Sequence, residues 1–248
     1  MSEGQESPSL DAAGAESTAG KPRELDPEEL EQVLQQHRTW IESGGKEGRR
    51  AQLGKVLLHR AYLQGADLRG ADLSGASLQE AELQLTRLYR ANLSRANLEK
   101  ANLYRTDLRG AQLSEARLGE AEMRSADLQK ANLQKADLQG ADLLEADLRA
   151  ADLKAAFLVG VNLYMADLRQ ADLQGALLQQ ADLQGADLRQ VDLRQAVLHE
   201  ARMGGADLAG ARLQGADLLD VSGLTRQQLA VAETDETTRL PGYLAASG

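Results

Sequence analysis

From Ala51 to Asp220 the sequence repeats one five-residue phrase without an insertion or a deletion, which restricts the folds open to the chain. The phrase is a small residue, Asp or Asn, Leu and two variable residues, as in ADLQKANLQKADLQG at 126–140. The 170 residues make 34 phrases, with Leu at the third position of 32 and Met at that of the other two. A period of five matches neither the helical period of about 3.6 nor strand alternation, so it predicts a stacked repeat architecture.

The phrase resembles the A-(D/N)-L-x-x motif of the pentapeptide repeat family, and the resemblance covers about 170 of the 248 residues. It implies an all-β solenoid, a right-handed quadrilateral β-helix with four phrases in each coil. The 34 phrases then form about 8.5 coils, with the small residue and the Leu of each phrase inside. At about 4.8 Å per coil, the rod would be roughly 40 Å long.

The other positions of the phrase have local physical reasons. The second position is Asp or Asn in 20 of the 34 phrases, and these side chains hydrogen-bond nearby backbone where a chain turns. The fifth position is frequently Gly, which tight turns favour. Both features predict a turn after every phrase.

Two N-terminal segments precede the repeats. Residues 1–24 are rich in Ser, Gly, Ala and Glu without apolar periodicity, which predicts a disordered tail. Residues 25–50 predict a capping helix that begins after Asp26, with Pro27 at its first position and Glu29 completing a capping box. Gly44 and Gly45 end the helix, whose apolar face consists of Leu30, Val33, Leu34, His37, Trp40 and Ile41. We expect this face to cover the open first coil of the 51–220 β-helix.

Residues 221–248 predict a C-terminal cap and tail. A short helix begins after Thr225, with Gln228 three residues later, and Leu224, Leu229 and Val231 supply apolar contacts. The Gly-Leu-Thr at 223–225 and the Thr-Arg-Leu-Pro at 238–241 resemble the C-terminal segment of many family members, and the final residues are expected to be loose.

The composition of the chain bears mainly on where in the cell the protein is expected. No apolar run is long enough to span a membrane, and the first 20 residues lack the features of a secretory leader, so a cytoplasmic protein without membrane contact is expected. The chain contains no Cys, so no disulfides form. Its net charge is −10, of which residues 1–50 carry −5 (6 basic and 11 acidic), the repeats −4 (20 and 24) and the last segment −1 (2 and 3).

A coil of four phrases places residues 20 apart on the same side of the rod. We number the four sides by their first phrases: wall 1 begins at Ala51, wall 2 at Val56, wall 3 at Ala61 and wall 4 at Ala66. Wall 4 carries a column of Asp at second positions and a column of Arg at fourth positions. We expect these charges to neutralise each other on a solvated face.

No catalytic, cofactor or metal site is expected. The histidines His37, His59 and His199 are far apart, with the last two on wall 2 and seven coils from each other. The carboxylates lie on convex walls around a filled core, where no cleft desolvates them. The glycines follow the five-residue period and form no phosphate-binding loop, so no enzyme activity and no small-molecule substrate are expected.

The sequence does predict one apolar patch. At second positions of wall 2, three consecutive coils carry Phe157, Leu177 and Val197 where Asp or Asn is expected. The predicted patch adds apolar neighbours on this wall and the next, namely Val159, Leu144, Tyr164 and Met165. A contiguous exposed apolar cluster is typical of an interface. The alternatives are that the loose motif tolerates these residues or that a tail folds over them.

Two functions are compatible with these features. The first is a non-enzymatic interaction or scaffold protein that binds a protein partner or a second copy through the patch. The alternative follows from the resemblance, because some family members mimic DNA and bind topoisomerases such as gyrase, which gives fluoroquinolone resistance. The wall charges are +1, −4, −2 and +1 for walls 1 to 4 and fall short of the charge density of a duplex. No face is strongly basic, so direct nucleic-acid binding is not expected.

Overall fold

The computed structural model describes residues 23–245. Residues 1–22 of the tail predicted at 1–24 and the last three residues lie outside this range. Within residues 23–245, the isolated bridges of the repeats are accompanied by two short strands and three helices: β1 (Arg23–Glu24), α1 (Pro27–Glu42), β2 (Val56–Leu57), α2 (Arg226–Leu229) and α3 (Gly242–Ala245).

Backbone pairing between residues 20 apart forms the rod. Second-position residues make parallel bridges to the next coil, as in Asp127 with Asp147 and then Asp167. The Leu128 N–H donates to the Asp147 carbonyl at 2.7 Å, and the Asp147 N–H donates to the Ala126 carbonyl at 3.0 Å. One coil therefore takes four phrases, and successive coils are joined by backbone hydrogen bonds on every wall.

A β-turn follows each phrase, and its third residue has positive φ. The Ala131 N–H closes one such turn on the Leu128 carbonyl at 2.9 Å, with Lys130 at φ 57°. All 34 fifth positions adopt positive φ, although only 11 are Gly and 23 are not. None of them is Val, Ile or Thr, because a β-branched side chain is strongly disfavoured in the left-handed region.

The first and third positions of the phrases fill the tube. Their apolar side chains are almost completely buried from Ala71 onward, and the third positions are at most 4% exposed throughout. Thr86 and Thr106 occupy first positions without an unsatisfied hydroxyl, because they donate to the carbonyls of Leu63 and Leu83. The interior is thus a packed core and offers no channel.

At the N-terminal end, α1 packs Leu30, Val33 and Leu34 against the core of the rod. Asp26 and Glu29 form the capping box, with the Glu29 N–H donating to the Asp26 carboxylate at 2.8 Å. The prediction of a tail at 1–24 is wrong for its last two residues. Arg23–Glu24 pairs in parallel with Val56–Leu57, so β1 adds a strand to the first coil of wall 2.

The C-terminal segment adds further contacts to the last coil. Thr225 and Gln228 form the capping box of α2, and the Gln228 side-chain amide also donates to the carbonyls of Met203 and Ala206. The expectation of loose final residues is wrong for Gly242–Ala245, which form α3. The Tyr243 hydroxyl lies 3.0 Å from the Val221 carbonyl and holds this turn on the rod. Within residues 23–245, no helix has the length and apolarity needed to cross a membrane.

Candidate functional site

Asp and Asn at second positions hold the turns of the rod. Each side chain accepts a hydrogen bond from the backbone N–H two residues later, as Asn162 does from Tyr164 at 3.1 Å. The same bond forms in all 20 phrases with Asp or Asn at this position. These local bonds explain the residue preference of the second position.

Wall 2 departs from this pattern in three consecutive coils. Phe157, Leu177 and Val197 lie in register, because Phe157 bridges to Leu177 and Leu177 bridges to Val197. Phe157 is 41% exposed, and the other two side chains are half-buried. We call these three residues, together with Val159 at the following turn, the apolar strip. None of them accepts the hydrogen bond that Asp or Asn accepts elsewhere.

Small residues flank only the N-terminal part of the strip. Its turns carry Ala155, Gly160 and Gly175, but Gln180 and Glu200 follow wall 2 in the next two coils. A side chain added at Gly160 or Gly175 would meet no atom within 4 Å, so the space outside these two turns is open. Another surface can therefore approach most closely at the part of the strip that contains Phe157.

The structure separates the predicted patch into two clusters. Tyr164 and Met165 lie at the turn after wall 3, with Leu144 one coil away in the same fourth-position column as Tyr164. Tyr164 is 43% exposed and Met165 54% exposed. The Met165 sulfur covers Gly185 of the next coil, where an added Cβ would lie only 2.6 Å from it.

A polar column separates this second cluster from the apolar strip. It runs along the centre of wall 3 through the bridged residues Asp142, Asn162 and Asp182. Asn162 donates a side-chain hydrogen bond to Asp142 at 2.9 Å, and Arg202 forms an ion pair with Asp182 at 3.1 Å. The strip on wall 2 is therefore the more compact candidate for an interface.

The Asp and Arg columns of wall 4 form a ladder of ion pairs. The Arg169 guanidinium lies 2.6 Å from Asp167 of its own phrase and 3.4 Å from Asp187 of the next coil. Arg149 repeats this arrangement with Asp147 and Asp167. Wall 4 thus carries neutralised charge and does not form a continuous acidic face.

The ladder shifts the pKa values of its carboxyls in opposite directions. Hydrogen bonding to Arg189 lowers the pKa of Asp187. Asp127 has Gln129 in place of an arginine in its phrase, and partial burial raises its pKa, with the Asp147 charge adding to the shift. A raised folded pKa lowers stability at neutral pH, whereas a lowered one adds stability that is lost as the pH falls through it.

We therefore predict opposite effects for two isosteric substitutions. Asp127→Asn should raise the midpoint of denaturant unfolding at pH 7, because it removes a destabilising charge and keeps the turn hydrogen bond. Asp187→Asn should lower the free energy of unfolding by about 0.5 kcal/mol, since it removes an arginine-paired carboxylate. As the pH falls through the pKa of each carboxyl, the corresponding variant should converge toward the native protein. Shifts of the same sign at pH 7 would contradict this prediction.

No metal centre forms within residues 23–245, since no three His, Cys, Asp or Glu side chains of that range are grouped to hold an ion. The His199 Nε2 lies 3.0 Å from a carboxylate oxygen of Asp220. On wall 2, Gly119 contributes to an open polar groove of about 420 Å³ near Asp137 and Gln139. It lies in coils that precede the apolar strip.

The geometry defines a β-solenoid with five-residue walls, and the comparisons with known proteins assign its family. The family model of pentapeptide repeats matches in overlapping segments that together span residues 57–218. The chain belongs to the pentapeptide repeat family. No curated protein matches its sequence significantly.

Several solved structures are similar to this chain. HetL, involved in heterocyst differentiation regulation in the cyanobacterium Nostoc sp. strain PCC 7120, is 28% identical over 84% of this chain and 94% of its own, with a TM-score of 0.47. Full-length QnrB1, a plasmid-mediated fluoroquinolone resistance protein, is 16% identical over 75% and 93%, with a TM-score of 0.39. A pentapeptide repeat protein of the Arabidopsis thaliana thylakoid lumen is 29% identical over 53% and 80%, with a TM-score of 0.34.

Sequence reasoning missed further exposed apolar and aromatic side chains. Leu85 is 52% exposed at the turn after wall 3, and Tyr104 lies at the same turn one coil later. Leu85 and Tyr104 can be found in the sequence when the fourth-position and fifth-position residues of each wall are compared from coil to coil. Trp40 of α1 lies beside Tyr89 of wall 4, an arrangement with no sequence signal because it depends on how the helix docks.

Proposed function

We propose that the chain is a non-enzymatic interaction or scaffold protein that uses the apolar strip of wall 2 as its binding surface. The observation that supports this function is the missing turn hydrogen bond at Phe157, Leu177 and Val197. Each such bond contributes about 1 kcal/mol, and the strip forgoes it in three consecutive coils. A protein is expected to carry exposed apolar residues in place of stabilising ones where that surface binds a partner.

A second copy of the chain is the occupant that the shape of the strip favours. The turns beside Phe157 carry the small residues Ala155 and Gly160, so two copies can approach each other closely there. A two-fold contact pairs the same patch on both copies, and an apolar strip without strong charge is complementary to itself. Asp217, at the C-terminal end of the strip, is neutralised by Arg239 at 2.7 Å and does not oppose such a contact.

The test replaces the strip with the residue that the repeat ordinarily has. A triple variant with Phe157→Asn, Leu177→Asn and Val197→Asn should remain folded, because the new amides accept the turn N–H groups as Asn162 does and offset the lost apolar contacts. We expect a dimer for the native chain and a monomer for the variant when molar mass is measured by light scattering. Thermal unfolding should show midpoints within a few degrees of each other.

Leu57→Asn is a matched control. Leu57 also occupies a second position of wall 2 and is 39% exposed, but it lies in the first coil, far from the strip. This substitution should leave the molar mass unchanged. A native chain that is monomeric at all concentrations would contradict self-association. Binding of the strip to another protein would then be tested by affinity capture with the native chain and with the triple variant.

The structure offers less support for mimicry of DNA. A duplex carries about one charge per 1.7 Å, whereas the acidic column of wall 4 is paired with arginine. We expect no inhibition of DNA supercoiling by purified gyrase at stoichiometric amounts of this chain. Inhibition, or protection of gyrase from a fluoroquinolone, would favour mimicry over the proposed function.

A further inference from the structure

A groove of about 330 Å³ lies between the C-terminal end of α1 and the turn that follows wall 4. It is on the side of the rod opposite the apolar strip, so a ligand bound here would not compete with a partner on wall 2. Two aromatic rings, two arginines, one aliphatic residue and three glycines line it: Trp40, Tyr89, Arg69, Arg90, Ile41, Gly44, Gly45 and Gly70.

Hydrogen-bond donors dominate the polar groups of this groove. The Arg90 guanidinium lies over the Tyr89 ring at 5.0 Å, as Arg109 does at 5.6 Å, and Arg90 forms no ion pair with any residue in the range 23–245. The Trp40 indole nitrogen lies beside Gly45, 3.3 Å from where a Cβ would be. A guanidinium and an indole N–H only donate, so the groove is suited to a ligand that accepts.

The surface around the groove has a local excess of positive charge. The first three phrases of wall 4 contain four arginines and two aspartates, a balance of +2, whereas the remaining five contain four basic and five acidic residues, a balance of −1. Arg69 and Arg109 are each engaged by the Asp of their own phrase. Arg87 pairs with Asp67 at 3.5 Å, so Arg90 is the arginine left to meet an incoming anion.

We infer that this groove binds a carboxylate-rich segment of a partner protein. Arg90 pairs with a carboxylate, the Trp40 N–H donates to a second acceptor, and the parts of the Trp40 and Tyr89 rings that line the groove contact the aliphatic parts of the segment. Trp, Tyr and Arg are the residues most enriched where binding energy concentrates. Gly44 has nothing within 4 Å of an added Cβ, which leaves space for the backbone of the segment.

The extent of the positive surface favours a peptide over a nucleic acid. Three coils span roughly 14 Å of the rod, which matches a few residues of extended chain but only a short stretch of duplex. Beyond these coils wall 4 is balanced or acidic, and the whole chain carries −10. A long polyanion would be repelled by most of the rod, whereas a short acidic segment meets only the groove.

The intrinsic fluorescence of the chain reports directly on this site, because Trp40 is its only tryptophan. We would titrate the full chain with a hexaglutamate peptide and record the emission of Trp40, with hexaglutamine as the neutral control. A saturable shift with hexaglutamate alone, weakening as salt is added, is the expected result. Inorganic phosphate and a short single-stranded DNA are titrated at matched ionic strength. Neither should bind more tightly than hexaglutamate.

Arg90→Gln is the decisive variant and should weaken hexaglutamate binding at least tenfold. Gln is accommodated at this turn, since Gln170 and Gln190 hold the same position on the same wall at φ 60° and 57°. Arg95→Gln is the matched control, because Arg95 is already paired with Glu115 at 3.0 Å and lies at another turn. The inference is overturned by the absence of a saturable shift, by equal affinity in Arg90→Gln, or by tighter binding of phosphate or DNA.

Discussion

Glutamates on the buried face of α1 are expected to convert the chain into end-to-end assemblies. Leu30, Val33 and Leu34 pack on the core of the first coil, and a buried unpaired carboxylate costs several kcal/mol. The three half-buried aliphatic side chains stabilise the packing of α1 on the rod by about 1 kcal/mol each. The cost of burying three carboxylates in their place is larger. A triple variant with Leu30→Glu, Val33→Glu and Leu34→Glu should therefore release the helix from the rod.

The released end would expose the inner residues and unpaired backbone groups of the first coil. Ala61 and Ala66 are only partly buried even with α1 in place. An open β-solenoid end is a template for another chain. Light scattering should show a molar mass that increases with concentration, whereas the rod itself keeps its circular dichroism.

A control with the same added charge separates this effect from simple electrostatics. Gln32, Gln35 and Gln36 are exposed on α1, and their replacement by Glu adds three negative charges without touching the core. This control should behave like the native chain in molar mass. If the Leu30, Val33 and Leu34 variant also keeps the native molar mass at every concentration, α1 does not protect the end of the rod.

The column arrangement of the outward residues was predictable because the repeat contains no insertion. A fixed phrase of five with a coil of 20 determines which residues stack, and Phe157, Leu177 and Val197 indeed bridge one another. The turn hydrogen bonds of Asp and Asn were predictable for the same reason, since they are local. Such features depend only on neighbours along the chain or at one fixed spacing.

Features that depend on docking were not predictable. The pairing of Arg23 with Val56 and the anchoring of Tyr243 on the Val221 carbonyl each join a short segment to a distant coil, and neither has a periodic signal. The predicted patch divides into two clusters because Tyr164 and Met165 lie at the turn after wall 3, with the polar column of that wall between them and the apolar strip. The Trp40 groove likewise depends on the angle at which α1 meets the rod.

His37 should make the N-terminal end of the rod sensitive to pH. Its side chain is fully buried, its Nδ1 accepts the Ala51 N–H at 3.0 Å, and its ring stacks on Trp40 at 5.5 Å. Burial lowers the pKa of His37 below 6.5, the charge of nearby Arg50 adds to this effect, and the Asp67 carboxylate and the Arg69 backbone oppose it. The folded chain therefore holds His37 neutral at a pH where the unfolded chain begins to protonate it.

The sign of the effect follows from proton binding. Below pH 6.5 the unfolded state binds more protons than the folded state, so stability is complete above 6.5 and falls as the pH decreases through it, by at most about 1.4 kcal/mol per pH unit. We expect a lower unfolding midpoint at pH 5.5 than at pH 7.5, accompanied by a change in Trp40 fluorescence. His37→Asn keeps an acceptor for the Ala51 N–H but cannot titrate, so it should be less stable at pH 7.5 and lose less stability on acidification. Equal losses in the native chain and in His37→Asn would assign the pH dependence to other groups.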